Sequence, residues 1–106
     1  MVDAQSIAIT DAERRIVLDI LRGHMAGMEV WAFGSRVSGT AKPWSDLDLA
    51  LISDAPIAMT DMAALRDAFS ESDLPWKVDL VDWSVTTPEF RELIARQYAI
   101  LVVKAG

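Results

Sequence analysis

The sequence predicts a small α/β domain in which helices pack against a mixed sheet. Three observations lead there. Apolar runs with strand spacing interleave with stretches of helical spacing in the order helix, strand, loop, strand, helix, strand, helix. The 106 residues fit one domain of ordinary size, spanning 1–106. A composition of 52% apolar and 25% charged residues supports a packed core and excludes a disordered or low-complexity chain.

The first helix opens at Thr10, which has capping-box spacing to Glu13 and precedes the apolar stripe Ile16, Leu18, Ile20 and Leu21. Gly23 and Gly27 weaken that helix and are expected to end it. Val30 to Phe33 reads as a short buried strand stopped by Gly34-Ser35. Residues 36–45 read as loop, broken by Gly39, Pro43 and Ser45. Leu47 to Ile52 is a second strand. A helix capped by Thr60 follows through Ala63, Leu65, Ala68 and Phe69, and ends at Leu74-Pro75. Val78 to Asp82 is a third strand. Thr87-Pro88-Glu89 then supplies an N-cap, a first-turn proline and a first-turn acid for a helix through Phe90, Leu93 and Ile94 toward Tyr98. For the tail from Ala99 to Val103, periodicity fits either more helix or a short closing strand.

Sixteen acidic residues against ten basic ones give a net charge of −6. Proteins that clamp a nucleic-acid backbone present a basic face, so long DNA or RNA is not an expected partner. A single nucleotide stays open, because a divalent metal can supply the missing positive charge. The chain has no cysteine, which removes disulfides, thiol nucleophiles and thiolate metal sites. Neither a signal-peptide pattern nor an apolar run near the ~20 residues of a membrane span is present. A soluble, cytoplasmic protein without membrane contact is the expectation.

The chemistry concentrates between Phe33 and Leu51. Asp46 and Asp48 stand two apart at the start of a strand, so both carboxylates take the same face. Adjacent unpaired carboxylates repel, and an all-oxygen donor set without His or Cys suits Mg²⁺ or Mn²⁺. Asp79, between Val78 and Leu80, completes a triad if its strand lies beside that of Asp46. Such a triad can hold two metal ions for an in-line phosphoryl displacement. Gly34 lets backbone N–H groups approach a ligand, Ser35 adds a hydroxyl donor, and Arg36 is placed to meet phosphate charge.

Blander readings apply elsewhere. Asp82 rivals Asp79, but alternation sends the two to opposite faces of a regular strand. Lys42 and His24 read as a solvated charge and a helix-end residue. Trp31 and Trp83 read as core, and Met25, Met28, Met59 and Met62 as packing residues. Trp44, in the loop before the Asp46 strand, fits a nucleotide base, a partner contact or simple folding back. Ser35 lacks the second glycine of a nucleophile elbow, Val37 standing in its place.

Gly34-Ser35, the spacing to Asp46-x-Asp48, and the later Val78-Asp79-Leu80 resemble the DNA polymerase β-like nucleotidyltransferases. The string GSRVSGTAKPWSDLDLAL resembles their minimal nucleotidyltransferase branch, the MntA-like antitoxins paired with HEPN toxins. The resemblance implies a mostly antiparallel sheet and transfer of AMP from ATP with loss of pyrophosphate. It also implies two Mg²⁺ ions held by Asp46 and Asp48 with Asp79 completing the site, and outer phosphates held at Gly34 and Ser35. Antitoxins of this branch AMPylate a tyrosine of the partner toxin, which silences its ribonuclease activity. With no further segment in view to grip an acceptor, a heteromeric complex with a HEPN toxin is the expectation. A nucleotide-binding antitoxin that masks its partner sterically and a small-molecule nucleotidyltransferase are the alternatives.

Overall fold

The computed structural model describes residues 7–105; residues 1–6 and 106 of the expected 1–106 domain lie outside the described residues. Helix α1 (Asp11–His24) starts at the expected capping box. Glu13 N–H donates to Thr10 Oγ1 at 3.0 Å and Thr10 N–H donates to Glu13 Oε1 at 2.8 Å. Gly23 does not end it; the helix runs one residue further, and Gly27 turns the chain with φ +80. Strand β1 (Glu29–Phe33) leads into a one-turn helix α2 (Ser35–Ser38), then a loop, then strand β2 (Leu47–Ile52). Helix α3 (Met59–Ser70), strand β3 (Val78–Asp82), a 3-10 turn (Trp83–Val85), helix α4 (Pro88–Arg96) and strand β4 (Tyr98–Val102) follow.

The sheet runs in the order β3-β2-β1-β4. β1 pairs antiparallel with both β2 and β4, while β2 pairs parallel with β3, so the sheet is mixed and mostly antiparallel. Parallel neighbours require a crossover, and α3 supplies it. The core lies where α1 and α3 cover one face. Val30 and Ala32 of β1, Leu47, Leu49 and Leu51 of β2, and Ala99 and Leu101 of β4 meet Val17, Leu21, Leu65 and Phe69 there.

Further expectations need correction. Residues 36–45 are not all loop, since the first of them complete α2, whose end is closed by Gly39 at φ +87. Thr60 is not a cap; α3 starts earlier, after Ala58, whose side chain cannot cap. Met59 is 88% exposed rather than packed, because it falls on the outer side of that first turn. Trp31 and Trp83 are not core residues. They are half-buried on the second face of the sheet, where Trp31 stacks on Tyr98 and meets Trp83 edge-on. The enclosed tryptophan is Trp76, 9% exposed. The ambiguous tail resolves as β4, and α4 stops before Tyr98.

Candidate active site

Register assembles the site. Phe33 stands opposite Asp48, and Asp48 stands opposite Asp79, so one row crosses β1, β2 and β3 on the face away from α1 and α3. Asp46, two residues before Asp48, shares that face by alternation. Burial pushes the Asp48 carboxyl up to about 6; the charges of Asp79 and Asp46, and a hydrogen bond with Asp79, push the same way. The three carboxylates predicted from sequence are therefore electrostatic neighbours, and Asp48 is the central one.

Gly34 fits against this cluster for two separate reasons. Its φ of +79 lies in the region that side chains disfavour. A Cβ there would also run into Asp48 Oδ2 and stand 3.1 Å from Asp48 Cγ. Glycine thus lets the turn after β1 close directly on the carboxylate. Val37 and Ser38 N–H bond back to Gly34 C=O, at 3.0 Å each, which fixes the turn as α2. The Ser35 hydroxyl has no partner among the described residues. It lines a cleft of about 380 Å³ whose wall is polar at Ser35, Ser38, Thr40 and Gln97 and apolar at Phe33, Phe90 and Leu93. Such a cleft, with apolar side chains and a few polar groups in its wall, suits a small ligand bearing a charged group.

The apolar wall is not legible in the sequence. Phe90 and Leu93 fit the inward stripe of α4, yet only Ile94 is buried; Phe90 is 38% and Leu93 58% exposed. A helix carrying more apolar residues than its buried face needs is the available signal, and only the tertiary arrangement shows that they overhang Gly34-Ser35.

Arg36 does not join the cluster. It is 6% exposed, and its guanidinium donates to Ala8 C=O at 2.8 Å, Ser45 C=O at 2.7 Å and Pro43 C=O at 3.2 Å, with a longer approach to Lys42 C=O. It also lies over the Trp76 ring, 4.6 Å from the centroid. The expected phosphate contact is replaced by a structural one: Arg36 fastens the loop before Asp46 from beneath, and Trp44 in that loop stays 72% exposed. Asp82 lies on the core face opposite Leu51. It accepts from Ser53 Oγ at 2.5 Å, Ile57 N–H at 2.8 Å and Ser84 Oγ at 2.8 Å. Burial raises its pKa, but these hydrogen bonds outweigh that effect and hold the carboxyl below its usual range. His24 is exposed at the end of α1, and Lys42 is exposed.

As they stand, no three His, Cys, Asp or Glu side chains among the described residues are set to hold a metal ion. The donor chemistry nonetheless fits Mg²⁺. That ion is usually held by one or two carboxylates, with water and substrate phosphate oxygens completing the shell, rather than by an all-protein cage. Mutual repulsion at Asp46, Asp48 and Asp79 is what a cation would relieve. Among the described residues, no helix is long and apolar enough to cross a membrane.

Comparison with known proteins agrees with this geometry. The family described as "Polymerase beta, Nucleotidyltransferase" matches residues 17–105. A Haemophilus influenzae protein described as "Probable protein adenylyltransferase MntA" is 47% identical over 104 residues, covering 98% of this chain and 91% of that one. Among solved structures, a toxin-antitoxin crystal structure with AMP-PNP superposes with a TM-score of 0.72 at 23% identity, over 84% of this chain and 72% of the other. A complex of tri-AMPylated Shewanella oneidensis HEPN toxin with MNT antitoxin superposes at 0.67 and 20% identity, over 89% and 72%. At these identities the superpositions speak for the fold.

Proposed function

The chain belongs to the polymerase beta nucleotidyltransferase family, and on that premise we propose that it is an antitoxin that moves AMP from ATP, with Mg²⁺, onto a tyrosine hydroxyl of a HEPN-type partner toxin. The observation that carries the reading is the row of Asp46, Asp48 and Asp79 closed on by Gly34. The protein-adenylyltransferase description of the 47%-identical relative supports the acceptor class, and the AMPylated HEPN toxin bound by a fold neighbour supports the partner.

In this reading Ser35 and the main chain at Gly34 hold the outer phosphates, and the cleft walled by Phe33, Phe90 and Leu93 takes the rest of the nucleotide. Asp46 and Asp48 would hold Mg²⁺, and the ion would supply positive charge against the phosphates there. Asp79 accepts the proton as the acceptor oxygen bonds to the α-phosphorus. The bond from that phosphorus to the bridging oxygen breaks, and pyrophosphate leaves with the electron pair. The chain's own work is to position both reactants and hold the proton.

Intact mass of the partner after incubation with this protein, ATP and Mg²⁺ is the direct test. A gain of one or more AMP units that disappears with Asp46→Asn is the expected result. A tightly bound partner of unchanged mass would reject transfer in favour of steric masking.

A further inference from the structure

A groove of about 490 Å³ lies between α3 and the outer edge of β3, and the site residue Asp79 is part of its wall beside Arg66, Phe69, Leu74, Trp76 and Lys77. Three features of the groove converge on one occupant.

The first is position. The order β3-β2-β1 sets Gly34 and Ser35 on the β1 side of Asp48 and Asp79 on the β3 side. In-line displacement brings the attacking oxygen in opposite the leaving group. With phosphates at Gly34-Ser35, the acceptor arrives from the β3 edge; the groove follows that edge on its α3 side, and a strand added there turns alternate side chains to the face that carries Asp79.

The second is main chain. Among the described residues, β3 pairs only with β2. Lys77 C=O accepts from Leu47 N–H at 2.9 Å. Alternation then turns the main-chain groups of Asp79 and Val81 toward β2 and those of Val78 and Leu80 outward along the open edge. Such an edge is a template for an added strand.

The third is charge. Arg66 and Lys77 are exposed and form no ion pair among the described residues, in a chain whose net charge is −6. The groove walls carry two cations against the one carboxylate of Asp79, on an acidic protein, with Leu74 and the enclosed Trp76 among their apolar residues.

We propose that this groove is the acceptor-docking site: an extended acidic segment of the partner polypeptide adds as a strand to the β3 edge, sets its carboxylates on Arg66 and Lys77, and carries its hydroxyl to Asp79. The inference rests on the transfer reading above and names how the acceptor is held.

The probe is a peptide in which glutamates alternate with valines around one central tyrosine, with a matched peptide carrying lysines for glutamates. Amide hydrogen exchange at Val78 and Leu80 is measured without nucleotide, and AMP incorporation is measured separately. The glutamate peptide should slow exchange at both amides and the lysine peptide should not. The double variant Arg66→Glu with Lys77→Glu should weaken binding of the glutamate peptide about tenfold or more, the scale of rim charges converted to affinity. Its thermal transition and ATP binding serve as the check on folding. AMP incorporation with both amides unprotected would overturn the docking site while leaving transfer intact. Protection without AMP incorporation would support docking and count against transfer. A peptide that does neither overturns the inference.

Discussion

Asp48 is where the physics of the site is most exposed to measurement. Its folded pKa of about 6 lies above the ordinary carboxyl value of 3.8. A raised pKa contributes stability that is fully present below the unfolded value and is lost as pH rises through the folded one. The metal-free protein should therefore gain stability as pH falls from 7 toward 4, before Asp82, displaced the other way, begins to lose its hydrogen bonds at lower pH. A pKa raised this far would be worth ~3 kcal/mol if undamped, but this carboxyl is half-exposed, and solvent screening reduces the expectation to about 1 kcal/mol. Asp48→Asn should be more stable than wild type by that amount at pH 7, flatten the rise between pH 7 and 4, and transfer no AMP. Thermal melts across pH check the first two, and Mg²⁺ should raise the wild-type midpoint at pH 7 far more than at pH 5. A wild-type melt independent of pH in this window would show that the three carboxylates do not repel as described. Arg36 gives a contrasting residue-scale case. Replacing it by Met removes the donor to the carbonyls of Ala8, Pro43 and Ser45 and leaves a hole where the buried guanidinium sat. We expect a loss of about 3 kcal/mol, measured by denaturant unfolding, and no rescue by Lys, which lacks the planar fork. A stable Arg36→Met with weakened ATP binding would restore the phosphate role.

Between elements, the junction of β1 and α2 decides the site. Gly34→Ala places a methyl into Asp48 Oδ2 and asks a side chain to adopt φ +79. The strained backbone alone costs on the order of 1–2 kcal/mol. The larger consequence is that the turn and the carboxylate must separate. The expected outcome is a fold that survives with a lowered melting point and ATP binding, followed by titration calorimetry, weakened at least tenfold; unchanged ATP affinity would move the phosphates away from Gly34. The same junction shows what is legible in the sequence. Thr10 with Glu13, the Thr87-Pro88 start and the Asp46-x-Asp48 alternation are local patterns whose physics is complete within a few residues. The partnership of Asp48 with Asp79 is not local, since it depends on β3 lying beside β2. Sequence misplaces Arg36 because exposure is the default for a charged residue, and the carbonyls that satisfy it come from residues up to 28 positions away. The turn of α2 is hidden because a single helical turn between two glycines has no periodicity to display.

At the scale of the molecule, β4 is the element that local reading leaves open, and the fold depends on it. Tyr98 to Val102 offers an unbroken apolar run that suits a buried helix end as well as a strand. What selects the strand is the bare edge that β1 would otherwise present. With β4 in place, β1 is central and its two faces divide the labour: Val30 and Ala32 face the core, while Trp31 and Phe33 face Tyr98 and the site. Removal of residues 98–106 would expose that edge, uncover Ala99 and Leu101, and strip Trp31 of its stacked partner. Deleting one buried leucine-sized side chain commonly costs about 2–5 kcal/mol, the same order as the whole stability of a small domain. The truncated chain should therefore lack a cooperative thermal transition and bind no ATP, although every residue of Gly34, Ser35, Asp46, Asp48 and Asp79 is still present. The alternative result, ATP binding retained by residues 1–97, would mean that β1 and β2 hold the glycine turn against Asp48 unaided. On the register seen here they cannot. Gly34 follows directly on β1, which is paired on both sides by β2 and β4, so the site and the closing strand are expected to be lost together.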